Sequence, residues 1–92
     1  MNFEWDADKE AKNLNKHKVS FSTAARVFID PGRIEAYDGR ENYEEDRWTT
    51  IGMVDPAFLY VVYTVRMKEI IRIISARKAT SYEQKQYREA NY

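Results

Sequence analysis

Three features of this sequence predict an α+β fold. Phe21, Ala24, Ala25 and Phe28 fall at i, i+3, i+4 and i+7, the spacing of one buried helix face. From Arg33 onward the period changes to that of strands, above all in Phe58–Val65 and Ile70–Ala76. Thr80 and Glu83 then form a capping box that opens a last helix. Helices therefore flank a block of strands instead of alternating with them. That order predicts an antiparallel sheet with two N-terminal helices and one C-terminal helix.

Each element follows from local chemistry. Phe3-Glu4-Trp5 alternates and reads as a short edge strand. Asp6 is an N-cap for a helix from Ala7 to about His17, with Ala7, Ala11 and Leu14 as its apolar stripe. Lys16, His17 and Lys18 place positive charge at its C-terminal end, where the helix dipole favours it. Ser20 caps the second helix, and Pro31-Gly32 ends it. The short link between the two predicts an antiparallel helical hairpin. Ile34–Tyr37 is a short strand, Asp38–Asp46 an acidic loop, and Arg47–Val54 a strand. Asp55-Pro56 marks a turn before the run Phe58–Val65, which reads as a central strand. Arg66–Glu69 is short enough for a hairpin turn into Ile70–Ala76. The last helix runs from Thr80 to about Glu89.

Length and composition narrow the function classes. Ninety-two residues make one domain, residues 1–92, and 43% apolar content argues against disorder. There is no cysteine, so disulfides and thiolate zinc sites are excluded. One histidine and no HExxH-type cluster leave no metal-ligand motif, and no cofactor is expected. No apolar stretch approaches a membrane span and no signal-peptide pattern opens the chain, so the expected compartment is the cytoplasm.

Charge is balanced overall but not along the chain. Residues 1–46 hold seven cations and eleven acids, and residues 47–92 hold eight cations and four acids. From Arg66 to Arg88 there are seven cations against Glu69 and Glu83. Arg72 interrupts an isoleucine run. A buried unpaired guanidinium costs several kcal/mol, so Arg72 needs an acid, an exposed face or an anionic ligand. A cationic β surface beside a helix suits phosphate.

The ordered set of motifs resembles the BrnT family. Phe3-Glu4-Trp5-Asp6, Lys9, Asn13, Lys16-His17, Val19-Ser20-Phe21, Ala24-Ala25, Val27-Phe28 and Asp30 resemble its N-terminal half. Glu45–Gly52 (EDRWTTIG), Val62-Tyr63-Thr64, Arg72–Thr80 (RIISARKAT), Glu83 and Tyr87 resemble its C-terminal half. The resemblance implies a RelE-like fold and a ribonuclease toxin of a type II toxin–antitoxin pair, which cleaves RNA and arrests translation. It implies a BrnA-type antitoxin with a ribbon-helix-helix domain, and operator DNA bound through the complex, which represses its own operon. Lys18 stands where the family often has glycine, at a turn where a side chain costs about 1 kcal/mol.

Metal-free RNA cleavage needs a base for the 2′-hydroxyl proton, cations for the phosphorane-like transition state, and an acid for the leaving oxygen. Arg72 is the first phosphate ligand to consider, because its planar fork matches phosphate; its rival role is an ion pair with an acid such as Glu45 or Glu69. Arg77 and Lys78 sit where that strand meets the last helix, and Arg66 lies in the hairpin turn. His17 titrates near neutrality and is one candidate base, although a helix-capping role fits it better. Tyr63 and Tyr82 are alternative proton carriers if nearby cations lower their pKa. Trp48 and Tyr87 are candidate stacking platforms for a base. In a regular strand Arg72 and Arg77, five apart, face opposite ways; only a bulge near Ser75 or Ala76 brings them together. A non-enzymatic module that binds nucleic acid or an acidic protein is the second reading.

Overall fold

A computed structural model describes residues 1–39 and 45–92. Five strands form one sheet: β1 (Asn2–Glu4), β2 (Ile34–Asp38), β3 (Arg47–Val54), β4 (Ala57–Arg66) and β5 (Ile70–Lys78). Their spatial order is β1-β5-β4-β3-β2. The helices are α1 (Ala7–His17), α2 (Phe21–Ala25), continued by a 3-10 turn over Arg26–Ile29, and α3 (Ser81–Asn91). The acidic loop predicted over Asp38–Asp46 lies partly outside the described residues.

The sheet is mixed, not antiparallel. β2 to β5 pair antiparallel, but β1 pairs parallel with β5, Phe3 opposite Ile71 and Glu4 opposite Arg72. A three-residue strand carries too little periodicity to announce its direction.

Asp6 caps α1 by accepting from the N–H groups of Asp8 and Lys9 at 2.8 and 3.0 Å. The predicted stripe of α1 is corrected: Ala7, Ala11 and Leu14 are all exposed. The buried residue is Asn13, whose amide donates to Val19 O and Ala76 O and accepts from Ala76 N, at 2.8–3.0 Å. Glu10 accepts from Phe21 N at 2.9 Å. Hydrogen bonds thus do for α1 what apolar burial does for α2. The predicted helical hairpin is also corrected. Both helices pack chiefly on β5, because the five residues of α2 are too few for a helix–helix seam.

Phe21, Ala24 and Val27 are fully buried against Leu59, Val61 and Ile73. Gly52 permits this approach, since a Cβ there would lie 2.8 Å from Val27 Cγ1. Asp30 closes the 3-10 turn, accepting from Gly32 N, Met53 N and the Tyr87 hydroxyl. Burial of Asp30 opposes its charge, but these bonds hold its carboxyl below the usual range.

The opposite face of the sheet carries α3. Tyr87 packs with Ile51 and Ala79, and stacks edge-on against Phe58 at 5.2 Å. The capping box is present, with Thr80 Oγ1 accepting from Glu83 N and Glu83 accepting from Thr80 N.

Candidate functional site

Cross-strand partners share a face, so the register sorts the side chains. One face, under α1 and α2, holds Leu59, Val61, Tyr63, Ile71, Ile73 and Ala76. The other holds Tyr60, Val62 and Thr64 with their β5 partners Arg77, Ser75 and Arg72. Arg72 and Arg77 therefore lie on the same face despite their odd spacing. The register shifts between Val62 and Tyr63, which pair with Ser75 and Ile73, so Ile74 is the extra residue. This bulge resets the alternation.

On that face the strands line up one row from edge to edge. Asp38 pairs with Arg47, Thr64 with Arg72, and Arg72 with Glu4. One step past the Trp48–Tyr63 pair sets Arg47 against Thr64. The row thus reads acid, arginine, threonine, arginine, acid. Two strand spacings, about 10 Å, separate the Arg47 and Arg72 backbones. Thr64 is buried between them and donates to Asp46 O at 2.5 Å. The next row is Ala36, Thr49, Val62 and Ser75, all small or short. The third row lies under α3.

Arg72 is paired, though with neither acid its sequence suggests. Its Nη1 donates to Glu4 Oε2, which also pairs with Arg66 at 3.4 Å. Among the described residues, Nε and Nη2 of Arg72 take no protein acceptor, and the side chain keeps 28% exposure. Arg77 forms a two-pronged pair with Glu83 at 2.8 and 2.9 Å and lies over the Tyr60 ring at 4.1 Å. That pair, with the Thr80 N–H, holds the Glu83 carboxyl below its usual range despite burial.

The remaining sequence candidates lie elsewhere. His17 ends α1 on the helix-covered side, just before Lys18, whose φ of 61° closes the helix. Tyr63 also faces that side, against Phe28 at 4.9 Å. Its hydroxyl donates to Glu35 Oε2 at 2.6 Å, and burial followed by this carboxylate pushes its pKa up to about 12. A lowered pKa, which proton acceptance would need, is thus reversed here. Trp48 pairs with Tyr63 in the register and meets Tyr37 edge-on at 5.4 Å. Lys78, opposite Leu59, is on the covered side as well. Tyr82 is exposed in the first turn of α3, and Tyr87 is spent on the core and Asp30. Arg66, Arg72 and Arg77 are the sequence candidates on this strand face, with Arg77 in the row under α3. Sequence reasoning missed Arg47, Thr64 and Glu4. Each sits inside a motif quoted above, but their row is visible only once the register is known.

Arg33 and Glu35 complete a second polar group on the covered side. Arg33 donates to Glu35 Oε2 and Thr50 Oγ1 at 3.1 and 3.2 Å. The Tyr63 bond, assisted by Arg33, keeps Glu35 ionised below its usual range. Among the described residues no three His, Asp or Glu side chains gather as a metal-ligand set.

The open sheet face of this small α+β protein carries Arg47, Thr64 and Arg72 in one row. Residues 5–83 match the family model described as a ribonuclease toxin, BrnT, of type II toxin–antitoxin systems. The chain belongs to this family. Its fold is similar to the 1.1 Å crystal structure of the Brucella abortus ribonuclease toxin, BrnT. The TM-score is 0.66 at 22% identity, covering 88% of this chain and 99% of that one. Comparison with curated proteins gives no match.

Proposed function

We propose that this chain is an endoribonuclease toxin that holds its RNA on the open face of the sheet. The carrying observation is the row Asp38–Arg47–Thr64–Arg72–Glu4 beside the bulge that turns Arg77 to the same side. Arg72 offers two guanidinium nitrogens outward while Glu4 fixes the third. A fork so held loses little entropy on gripping a phosphate. Arg47 stands across Thr64 in the same row, its Nε 3.8 Å from Glu45 Oε1. As solvent water takes the 2′-hydroxyl proton, the 2′-oxygen attacks phosphorus, the 5′-oxygen departs with a proton from water, and negative charge grows on the non-bridging oxygens beside the arginine row. Arg77 and Arg66 extend the cationic track along the backbone. His17 and Tyr63, on the covered side, take no part in this step.

On this reading the row's cations carry the charge stabilisation and cleavage needs no metal, and the resemblance implies a RelE-like fold. The cell's protection is a BrnA-type ribbon-helix-helix antitoxin, and the pair represses its operon from the cytoplasm while the free toxin stops translation. Family membership supports an antitoxin and an RNA substrate; these finer assignments rest on the resemblance.

The test is single-turnover cleavage of RNA in the presence of a chelator. Arg72→Ala is expected to lose about 10²–10³ in rate, the scale for removing one transition-state donor, while remaining folded. His17→Ala should cleave within a few-fold of wild type. Binding should weaken steeply with salt as counterions are released. Full cleavage by folded Arg72→Ala removes the site from this face. Salt-dependent binding without any cleavage would favour the non-enzymatic module instead.

A further inference from the structure

The covered side has an opening that the phosphate row does not use. Glu35, Trp48, Tyr63 and Val65 line a cleft of about 290 Å³ beside the end of the 3-10 turn. Trp48 and Val65 also line a second hollow, of about 560 Å³, together with Thr64, Arg66 and the acids Glu45 and Asp46. Thr64 and Arg66 belong to the open face, so this hollow is a notch at the end of the sheet where the two faces meet. The notch and the cleft share Trp48 and Val65, so the arginine side and the cleft adjoin.

The cleft has the chemistry of a base-reading site. Trp48 gives it an aromatic wall, and single-stranded RNA is commonly read by stacking a splayed base and bonding its edge. Val65 is 45% exposed, an apolar side chain facing solvent at the rim. Glu35 supplies direction. Tyr63 and Arg33 both donate to Oε2, and among the described residues Oε1 accepts nothing. The carboxylate is therefore fixed by one oxygen and free at the other, with its side chain half exposed. A fixed anionic acceptor selects a base edge rich in N–H donors. Guanine presents two neighbouring donors, N1–H and the N2 amino group; adenine presents only the N6 amino group on its Watson–Crick edge.

We propose that this cleft is a subsite for one unstacked nucleobase, read by Glu35 against Trp48 and favouring guanine. As a subsite for substrate RNA it rests on the ribonuclease reading, but nucleotide binding alone tests it without cleavage.

The probes are the four nucleoside 5′-monophosphates, followed by tryptophan fluorescence. Guanosine monophosphate should quench the full chain and bind about tenfold tighter than adenosine monophosphate, within the range for a well-read base edge. Trp48→Phe should abolish the quench, assigning it to Trp48 and not to Trp5, which packs on Phe21. In Glu35→Gln the amide oxygen can keep the Tyr63 and Arg33 bonds while the amide N–H₂ faces the cleft. The guanine preference should then vanish or invert. Mapped cut sites in RNA should show the same guanine preference and the same loss. A preference unchanged in folded Glu35→Gln, or no Trp48-dependent quench by any nucleotide, overturns the subsite. Guanine binding without RNA cleavage upholds the cleft and defeats the ribonuclease reading. Cleavage without base binding does the reverse.

Discussion

The two faces of one sheet solve opposite problems. Under α1 and α2, polar side chains are placed to finish the fold: Asn13 satisfies three backbone groups and Tyr63 is tied to Glu35. On the far face, beyond the reach of α3, Arg72 stands beside short side chains with Glu4 holding one of its nitrogens. A polar residue consumed by its neighbours signals architecture, and one held at a single point with donors left over signals a ligand. Asn13, Asp30, Glu83 and Tyr87 all belong to the family motifs, yet each has a structural job that accounts for it. Arg72 is the contrasting case.

The largest expected effect tests the covered face. Phe21→Ala should cost about 3–5 kcal/mol in denaturant unfolding, because its ring is fully buried and the site cannot collapse. Arg72→Ala should cost no more than about 1 kcal/mol in the same measurement, since a partly exposed ion pair is weak. Equal losses would break the division between the faces.

Asn13→Ala comes next. It leaves Ala76 N–H and two carbonyls unpaired at a buried junction, for a loss of about 3 kcal/mol. Urea midpoints would show it. A loss below about 1 kcal/mol would mean that water replaces the amide and that packing alone holds α1.

Thr80→Ala should lose about 1 kcal/mol through the cap. The same helix start gives the open side a pH signature. Glu83 has its pKa lowered first by Arg77, so its contribution is complete above the ordinary glutamate value of 4.5. It is lost as pH falls through the lower folded value. Thermal melts across that acid range should decline less steeply in Arg77→Gln than in wild type. An identical slope would separate the two groups.

The smallest effect is a gain. Lys18 holds φ at 61°, a conformation glycine adopts without strain. Lys18→Gly should raise stability by about 0.5–1 kcal/mol, read as a higher melting temperature.

Much of this arrangement is legible in the sequence, but only its local part. Asp6, Ser20 and Thr80 each cap the helix that their chemistry announces, and Arg47–Val54 has the predicted bounds. The stripe of α2 is buried as its spacing requires. What fails is non-local. The direction of β1 depends on β5, nearly seventy residues away. The apolar positions of α1 are too few to decide its orientation against Asn13, and even Leu14 is exposed. The partner of Arg72 comes from the first strand, which no spacing argument near Arg72 can reach. The charge asymmetry of the two halves did contain that pairing, though not its residue.

Ile74 has a further meaning in terms of counting. A motif written as a string fixes the number of residues between two arginines, while the sheet registers only whether that number is odd or even. One extra residue converts the parity. Removing Ile74 would shorten the chain by one and restore the regular alternation. The two arginines, now four apart in a strand without its bulge, would again share a face, and Ser75 and the residues after it would keep their β4 partners. Removing the bulge while keeping the count would instead send Arg77 to the helix side. In this protein the spacing of the motif and the irregularity of the strand are therefore one unit of information, and neither can be transplanted to another scaffold without the other.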